Sequence, residues 1–287
     1  MMLAGPAVAA WSPPELAGLV TDTRLAEVSG IAASQQTPGA FWAINDSDSA
    51  AELHLVSATG SRLASLPIEG VPNVDWEDLA AFTYQGRRYL LIADTGDNGG
   101  LRDTLSLIAI EEPREAVDGA QLLPAWTVRF RWPDGPRDCE AVVVDSVAGK
   151  ILLISKKRVP AEMFQVSLRP ERNTVQVARR IALLRGIAQP SSADLQRNQI
   201  YGRYRSQITS ASLSPDGRTL AVLNYGAVYL YPRAEGERWS AALRNPSSLD
   251  FPWMPQAEAV TWAIDGGSLL IGGEQTPSPL IRYRLID

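Results

Sequence analysis

Acidic side chains crowd the starts of apolar segments in this chain. NVDWEDLAAF (Asn73–Phe82) sets Asp75, Glu77 and Asp78 around Trp76 and then runs into a hydrophobic stretch. Glu140 holds the same place in DCEAVVVD, and Glu258 in QAEAVTWAIDGG. Amides and carboxylates also follow apolar runs, in NDSD (Asn45–Asp48) and DTGDN (Asp94–Asn98). Two carboxylates roughly 4 Å apart repel by about 4 kcal/mol at an effective dielectric of about 20. A convergent group must therefore take up protons, pair with bases or bind a cation. Few bases are near in sequence: Lys156 and Arg137, with Arg203 and Arg205 in GRYRSQIT. Carboxylates, Asn side chains and loop carbonyls form the hard oxygen set that Ca2+ prefers, with Mg2+ less demanding of ligand number. Glu77, Glu140, Glu258 and Asp46 are the expected metal ligands. Asp94 or Asp97 would activate water, with Lys156 beside them. Trp42 and Trp76 adjoin this region and could stack on a ligand, and Arg203 and Arg205 could meet an anionic group. The competing reading is turn chemistry, because Asp and Asn bond their own backbone. Asp216 and Asp265 sit in plain hairpin turns and are read that way.

Other chemistries lack their residues. Cys139 is the single cysteine, which excludes an intramolecular disulfide and a Cys-rich zinc site. Cys139 reads as a small buried filler. His54 is the single histidine, and alternation in ELHLVSA predicts a half-exposed strand residue. A Ser-His-Asp or Cys-His device would need that one ring beside its nucleophile. No P-loop or G-x-G-x-x-G occurs, so a nucleotide site has no support. A net charge of −5 without a basic face argues against nucleic acid. No apolar run approaches the roughly 20 residues of a membrane span. Composition, 45% hydrophobic and 21% charged, is that of a globular protein with a sizeable core. Ala7-Val8-Ala9 follows a short apolar stretch and fits the small-x-small pattern of a signal-peptidase site, although a basic n-region is missing. Residues 1–10 thus read as a signal-peptide remnant or a loose terminus, with export to the periplasm or beyond expected. Residues 11–287 read as one domain, expected to be monomeric.

The elements that must position these acids are short strands punctuated by Gly, Pro, Asn and Asp. ELAGL and PSSADLQR could make a turn or two of helix at most. Five segments share one plan: a polar start, a strand, a turn, then two more strands. They begin at EVSGIAAS, DWEDLAAF, DCEAVVVD, ITSASLSPDG and QAEAVTWAIDGG. Aligning Ser29, Glu77, Glu140, Ser210 and Glu258 gives spacings of 48, 63, 70 and 48 residues. RLASLPI, WTVRFRW and TVQVARRIAL supply fourth strands. Such self-similarity predicts an all-β propeller of five blades, with six possible in the long interval between Glu140 and Ser210. The last unit stops after its third strand, so LAGLVTDTRLAEV near the N-terminus is expected to close the ring.

LSPDGRTLAVLNYGAVYLY resembles the hairpin repeats of TolB-type and WD-type propellers. The acidic blade starts with their NDSD and DTGDN loops resemble phytase-like and gluconolactonase-type propellers, diffusely over Glu27–Gln275. That resemblance implies a calcium-dependent hydrolase with its site at the mouth of the central channel, although fold alone does not license function. In each blade the first-strand start and the second-strand end share a rim, where both sets of acids would gather. Three functions stay open: metal-dependent hydrolysis of a phosphoester, ester or lactone; carboxylate-based glycoside hydrolysis; and non-catalytic recognition of a small-molecule, oligomeric or protein ligand at that mouth.

Overall fold

The structure is a computed structural model describing residues 10–171, 174–199 and 202–286. The Ala7-Val8-Ala9 motif lies outside them. The short runs pair as consecutive antiparallel strands, and their order defines five blades. Blade 1 comprises Val28–Ala33, Ala40–Asn45, Glu52–Ser57 and Arg62–Pro67. Blade 2 comprises Trp76–Tyr84, Arg87–Asp94, Leu105–Glu111 and Pro124–Arg131. Cys139–Asp145, Lys150–Ser155, Glu162–Ser167 and Arg179–Leu183 build blade 3. Ile208–Leu213, Thr219–Asn224, Ala227–Pro232 and Ser247–Asp250 build blade 4. Blade 5 takes Ala257–Trp262, Ser268–Gly273 and Ser278–Ile286 from the end of the chain and Glu15–Val20 from near its start. The inner strand of every blade packs against the next, blade 5 against blade 1 included, so the molecule is a closed five-bladed β-propeller. Among the described residues no helix is long and apolar enough to cross a membrane.

Both faces of each blade are buried, because each packs on a neighbour. Five hydrophobic clusters result, one at each blade junction. This overrides alternation. His54, expected half-exposed, is buried with Nδ1 2.8 Å from the Ser65 hydroxyl, and burial pushes its pKa down to about 4. Trp42 is also a core residue, its Nε1 donating to Glu112. ELAGL is strand, not helix, since its backbone groups complete the edge of Ser278–Ile286. TVQVARRIAL divides at Ala178: Val175–Val177 pairs parallel with the outer strand of blade 2, and Arg179–Leu183 closes blade 3. In the SPDG hairpin, Gly217 takes φ +70° and Asp216 accepts from the Ser214 hydroxyl and Arg218 N–H, which is turn chemistry as expected.

Inner strands present a free edge to the channel, and its backbone groups need partners. The neighbouring blade provides them. Asp78 accepts from Val142 N–H (2.8 Å), Ala211 N–H (3.3 Å), the Ser210 hydroxyl (2.9 Å) and Leu79 N–H (3.0 Å), tying blades 2, 3 and 4 together across the axis. Ser210 and Ser212 cap Val260 and Trp262, and Thr261 caps Ala33. Blades 1 and 2 approach so closely that a Cβ on Gly30 would lie 2.6 Å from Leu79 N.

Candidate metal centre

All five inner strands carry a β-bulge after their first residue. The extra residue falls at Ser29, Glu77, Glu140, Thr209 and Glu258. The alignment at Ser210 is therefore one residue late, and Thr209 is the equivalent position. A bulged residue is released from the ladder and can be aimed elsewhere. Ser29 and Thr209 use this freedom to hold the ring, donating to the carbonyls of Trp76 and Ala257 in the following blades, both at 2.7 Å. Between blades 2 and 3 the same duty falls to Thr95, which donates to Cys139 O at 2.7 Å. Ionised glutamates cannot donate, so Glu77, Glu140 and Glu258 take no part in this latching.

Each second strand ends beside these bulges and adds one more side chain to the rim: Asp46, Thr95, Lys156, Tyr225 and Glu274. Backbone bonds fix four of them, from Asp46 N to Glu27 O, Thr95 N to Asp75 O, Lys156 N to Asp138 O and Glu274 N to Gln256 O. Two groups of carboxylates form. Oxygens of Asp46, Asp75 and Glu77 lie within 4.8 Å of one another, as do those of Glu77, Asp138 and Glu140. Glu77 belongs to both. It is buried, yet no hydrogen-bond donor among the described residues reaches its carboxylate. Gly96 closes the site from the blade 2 loop, where a Cβ would sit 2.2 Å from Glu77 Oε1.

The electrostatics follow from crowding without water. Burial and the charge of Glu140 push Glu77 well above the usual carboxylate range. Burial and Asp46 raise Asp75 to about 6. Glu140 is raised by burial although Lys156 pairs with its Oε1, and its buried Oε2 has no hydrogen-bond partner. Burial lifts Glu258 to about 7 against the pull of Lys156 and of the Tyr225 hydroxyl, which donates to it at 2.6 Å. Burial and Glu258 lift Glu274 to about 8. Burial opposes the charge on Lys156, but Glu140 and Glu258 outweigh it and hold the ammonium above its ordinary pKa. One lysine thus answers several acids, while Lys157 serves Asp138 at 2.9 Å.

Of the expected ligands, Glu77 and Glu140 share a group, Glu77 and Asp46 share the other, and Glu258 is held beside them by Tyr225 rather than within either. Asp75 and Asp138 complete the groups. The signal that finds them is a repeat: Asp75-x-Glu77, Asp138-x-Glu140 and Gln256-x-Glu258, with Glu27-x-Ser29 and Gln207-x-Thr209 in the other blades. The middle residue is buried every time. Asp94 and Asp97 do not stand free as bases. Asp94 pairs with Arg102 at 2.7 Å, and Asp97 accepts from Leu101 and Arg102 N–H, shaping its loop. Trp76, expected to stack on a ligand, is fully buried between blades 1 and 2 and offers no ring face. Arg203 lies over the Tyr204 ring, and Arg205 pairs with Asp194 at 3.3 Å and rests against Gly226. Neither pairs with the acid groups. Cys139 is buried as expected, its thiol raised by burial.

No known protein-family model matches this chain, and no curated protein matches it.

Proposed function

We propose that the acidic mouth binds a hard divalent cation, Ca2+ foremost, and through it an oxygen-rich or anionic small molecule. The observation that carries this reading is Glu77, a buried carboxylate without a donor and common to two groups of acids. A fold that needed only to close its ring would place a hydroxyl there, as it does at Ser29 and Thr209. The donor set is all oxygen, which suits calcium over zinc. Asp46, Asp75 and Glu77 would hold the cation in one group, and Asp138 and Glu140 share Glu77 in the other. Export fits this proposal, because extracellular modules bind calcium at millimolar to submillimolar levels.

Metal-dependent hydrolysis of a phosphoester, ester or lactone is the second reading. The pairing of Glu258 with Tyr225 favours it. A carboxyl lifted to about 7 is poised to exchange a proton at neutral pH, a role that Asp94 and Asp97, held by Arg102 and their own loop, do not offer. A bound cation would supply the electrophile that polarises a substrate oxygen.

Calcium titration followed by calorimetry and thermal melting tests the first reading. Saturable binding by the wild-type protein, weakened at least tenfold in Glu77→Gln, is expected; heat and melting curves indifferent to calcium and EDTA would discard it. Calcium binding without turnover of aryl phosphate, ester and lactone substrates would leave a binding propeller and remove the hydrolase.

A further inference from the structure

The channel opens at its other end into a cavity of about 760 Å3. Asp78 and its four hydrogen bonds form the waist between the two ends. Glu77, just before it, faces the acids, and Leu79 to Thr83, just after it, line the cavity. Ala80, Ala81, Val143, Ser212, Leu213 and Thr261 furnish much of the inner wall. Small side chains here leave a void that a close-packed interior would fill. Its volume falls within the roughly 300–1,000 Å3 typical of small-molecule sites.

The wall also says what kind of molecule fits. Its charges are already answered: Arg233 pairs with Asp145 at 2.9 Å and Arg218 with Glu235 at 3.0 Å. Asp216 is spent on Ser214 and Arg218, and Glu237 accepts from Ala234 N–H. The Thr261 hydroxyl donates to Trp262 O and the Thr83 hydroxyl to Gln35. Ser212 accepts from Trp262 N–H, and its own proton has no acceptor among the described residues. At the brim, Val147 is 99% exposed and Ile264 47%. An anion would have to take Arg233 from Asp145, a largely buried pair, which costs more than it returns. The acids without a base, Asp216 and Glu237, lie on turns and already accept hydroxyl or backbone protons. An apolar body carrying one hydrogen-bond acceptor meets no such obstacle.

We propose that this cavity is a second ligand site, separate from the acidic mouth, for a neutral and largely apolar small molecule whose hydroxyl or carbonyl oxygen accepts from Ser212. It does not rest on cation binding at the other end.

The probe is prodan, a neutral naphthyl ketone, titrated into the full-length protein and followed by its emission. Saturable one-to-one uptake with a blue shift is expected, unchanged by calcium, by EDTA or by Glu77→Gln. Ala80→Phe and Ala81→Phe add bulk to the wall from blade 2 where it meets the blade junctions. Each should melt lower by the cost of overpacking, keep the calcium titration and weaken uptake at least tenfold in the folded protein. No saturable uptake by the wild type, equal uptake by a well-folded filling variant, or loss of uptake in Glu77→Gln would each overturn the proposal. Should both alanine variants fail to fold, competition supplies the decision: a neutral aliphatic alcohol must displace the dye and a carboxylate of equal length must not, and the reverse order refutes it.

Discussion

The two ends of the channel are built by the same five inner strands and differ in what those strands do with charge. At the acidic mouth each strand bulges, side chains leave the ladder, and carboxylates outnumber bases. At the other end the ladder is regular, acids find arginines or backbone N–H groups, and the residues that face the void are small. Unpaired charge at one end carries the proposal of a cation site, and unfilled volume at the other carries the proposal of a neutral ligand. The waist at Asp78 belongs to neither and keeps them apart.

Breaking the waist should have the largest effect. Asp78→Ala removes the acceptor of four hydrogen bonds and strands three buried backbone N–H groups, each costing about 1–3 kcal/mol. A loss of about 3–5 kcal/mol in urea unfolding is expected, and a loss under about 1 kcal/mol would show that the blades do not depend on it. Calcium should come next. At 100 times its dissociation constant it adds about 2.7 kcal/mol to the wild type and about 1.4 kcal/mol or less to Glu77→Gln in thermal melting. In EDTA the mouth should titrate in the unusual direction. Asp75, Glu258 and Glu274 have folded pKa values of about 6, 7 and 8, above the unfolded range of about 4. Between those limits the native state holds more protons than the unfolded chain, so stability falls as pH rises. The melting temperature at pH 5 should exceed that at pH 8, and calcium should narrow the gap; a rise with pH would contradict the crowding described. Glu77→Gln in EDTA at pH 8 should melt no lower than wild type, since it discharges a crowded site. The smallest effect should come from Ser29→Ala, a single latch worth about 1 kcal/mol in urea unfolding, with calcium affinity intact.

Five blades were legible because each strand set is short, apolar and bounded by turn residues, and because the sets recur at blade length. What lay outside local pattern was missed. Alternation assigns His54 to a half-exposed position, yet a blade buries both faces, and the same fact removes Trp42 and Trp76 from the rim. ELAGL alone reads as a scrap of helix, whereas the missing strand of the last unit assigns LAGLVTDTRLAEV to close the ring, as Glu15–Val20 does. Nothing in TVQVARRIAL, which lacks Gly and Pro, signals its transfer from one blade to the next. In the mouth, the glutamates stood out by type. Asp75 and Asp138 also stand at strand starts in the sequence, but that they rather than Glu258 complete the two groups emerges only when the bulges align the blades in register. Asp94 and Asp97 drew notice by composition, but Arg102 and their own loop consume them.

The strand that changes blades at Ala178 has a mechanical consequence. Blades 2 and 3 are stitched along their outer edges by one continuous segment, as blades 1 and 2 are by Gly119 and Leu122 bonding to Ser65 and Pro67. Blades 2 and 3 carry Asp75, Glu77, Asp138 and Glu140. Asp46, on blade 1, is tied to the same pair of blades by the 119–122 segment. The crowded acids are thus braced at the rim of the disc as well as at its axis, and their mutual repulsion works against a girdle that cannot spread at one joint alone.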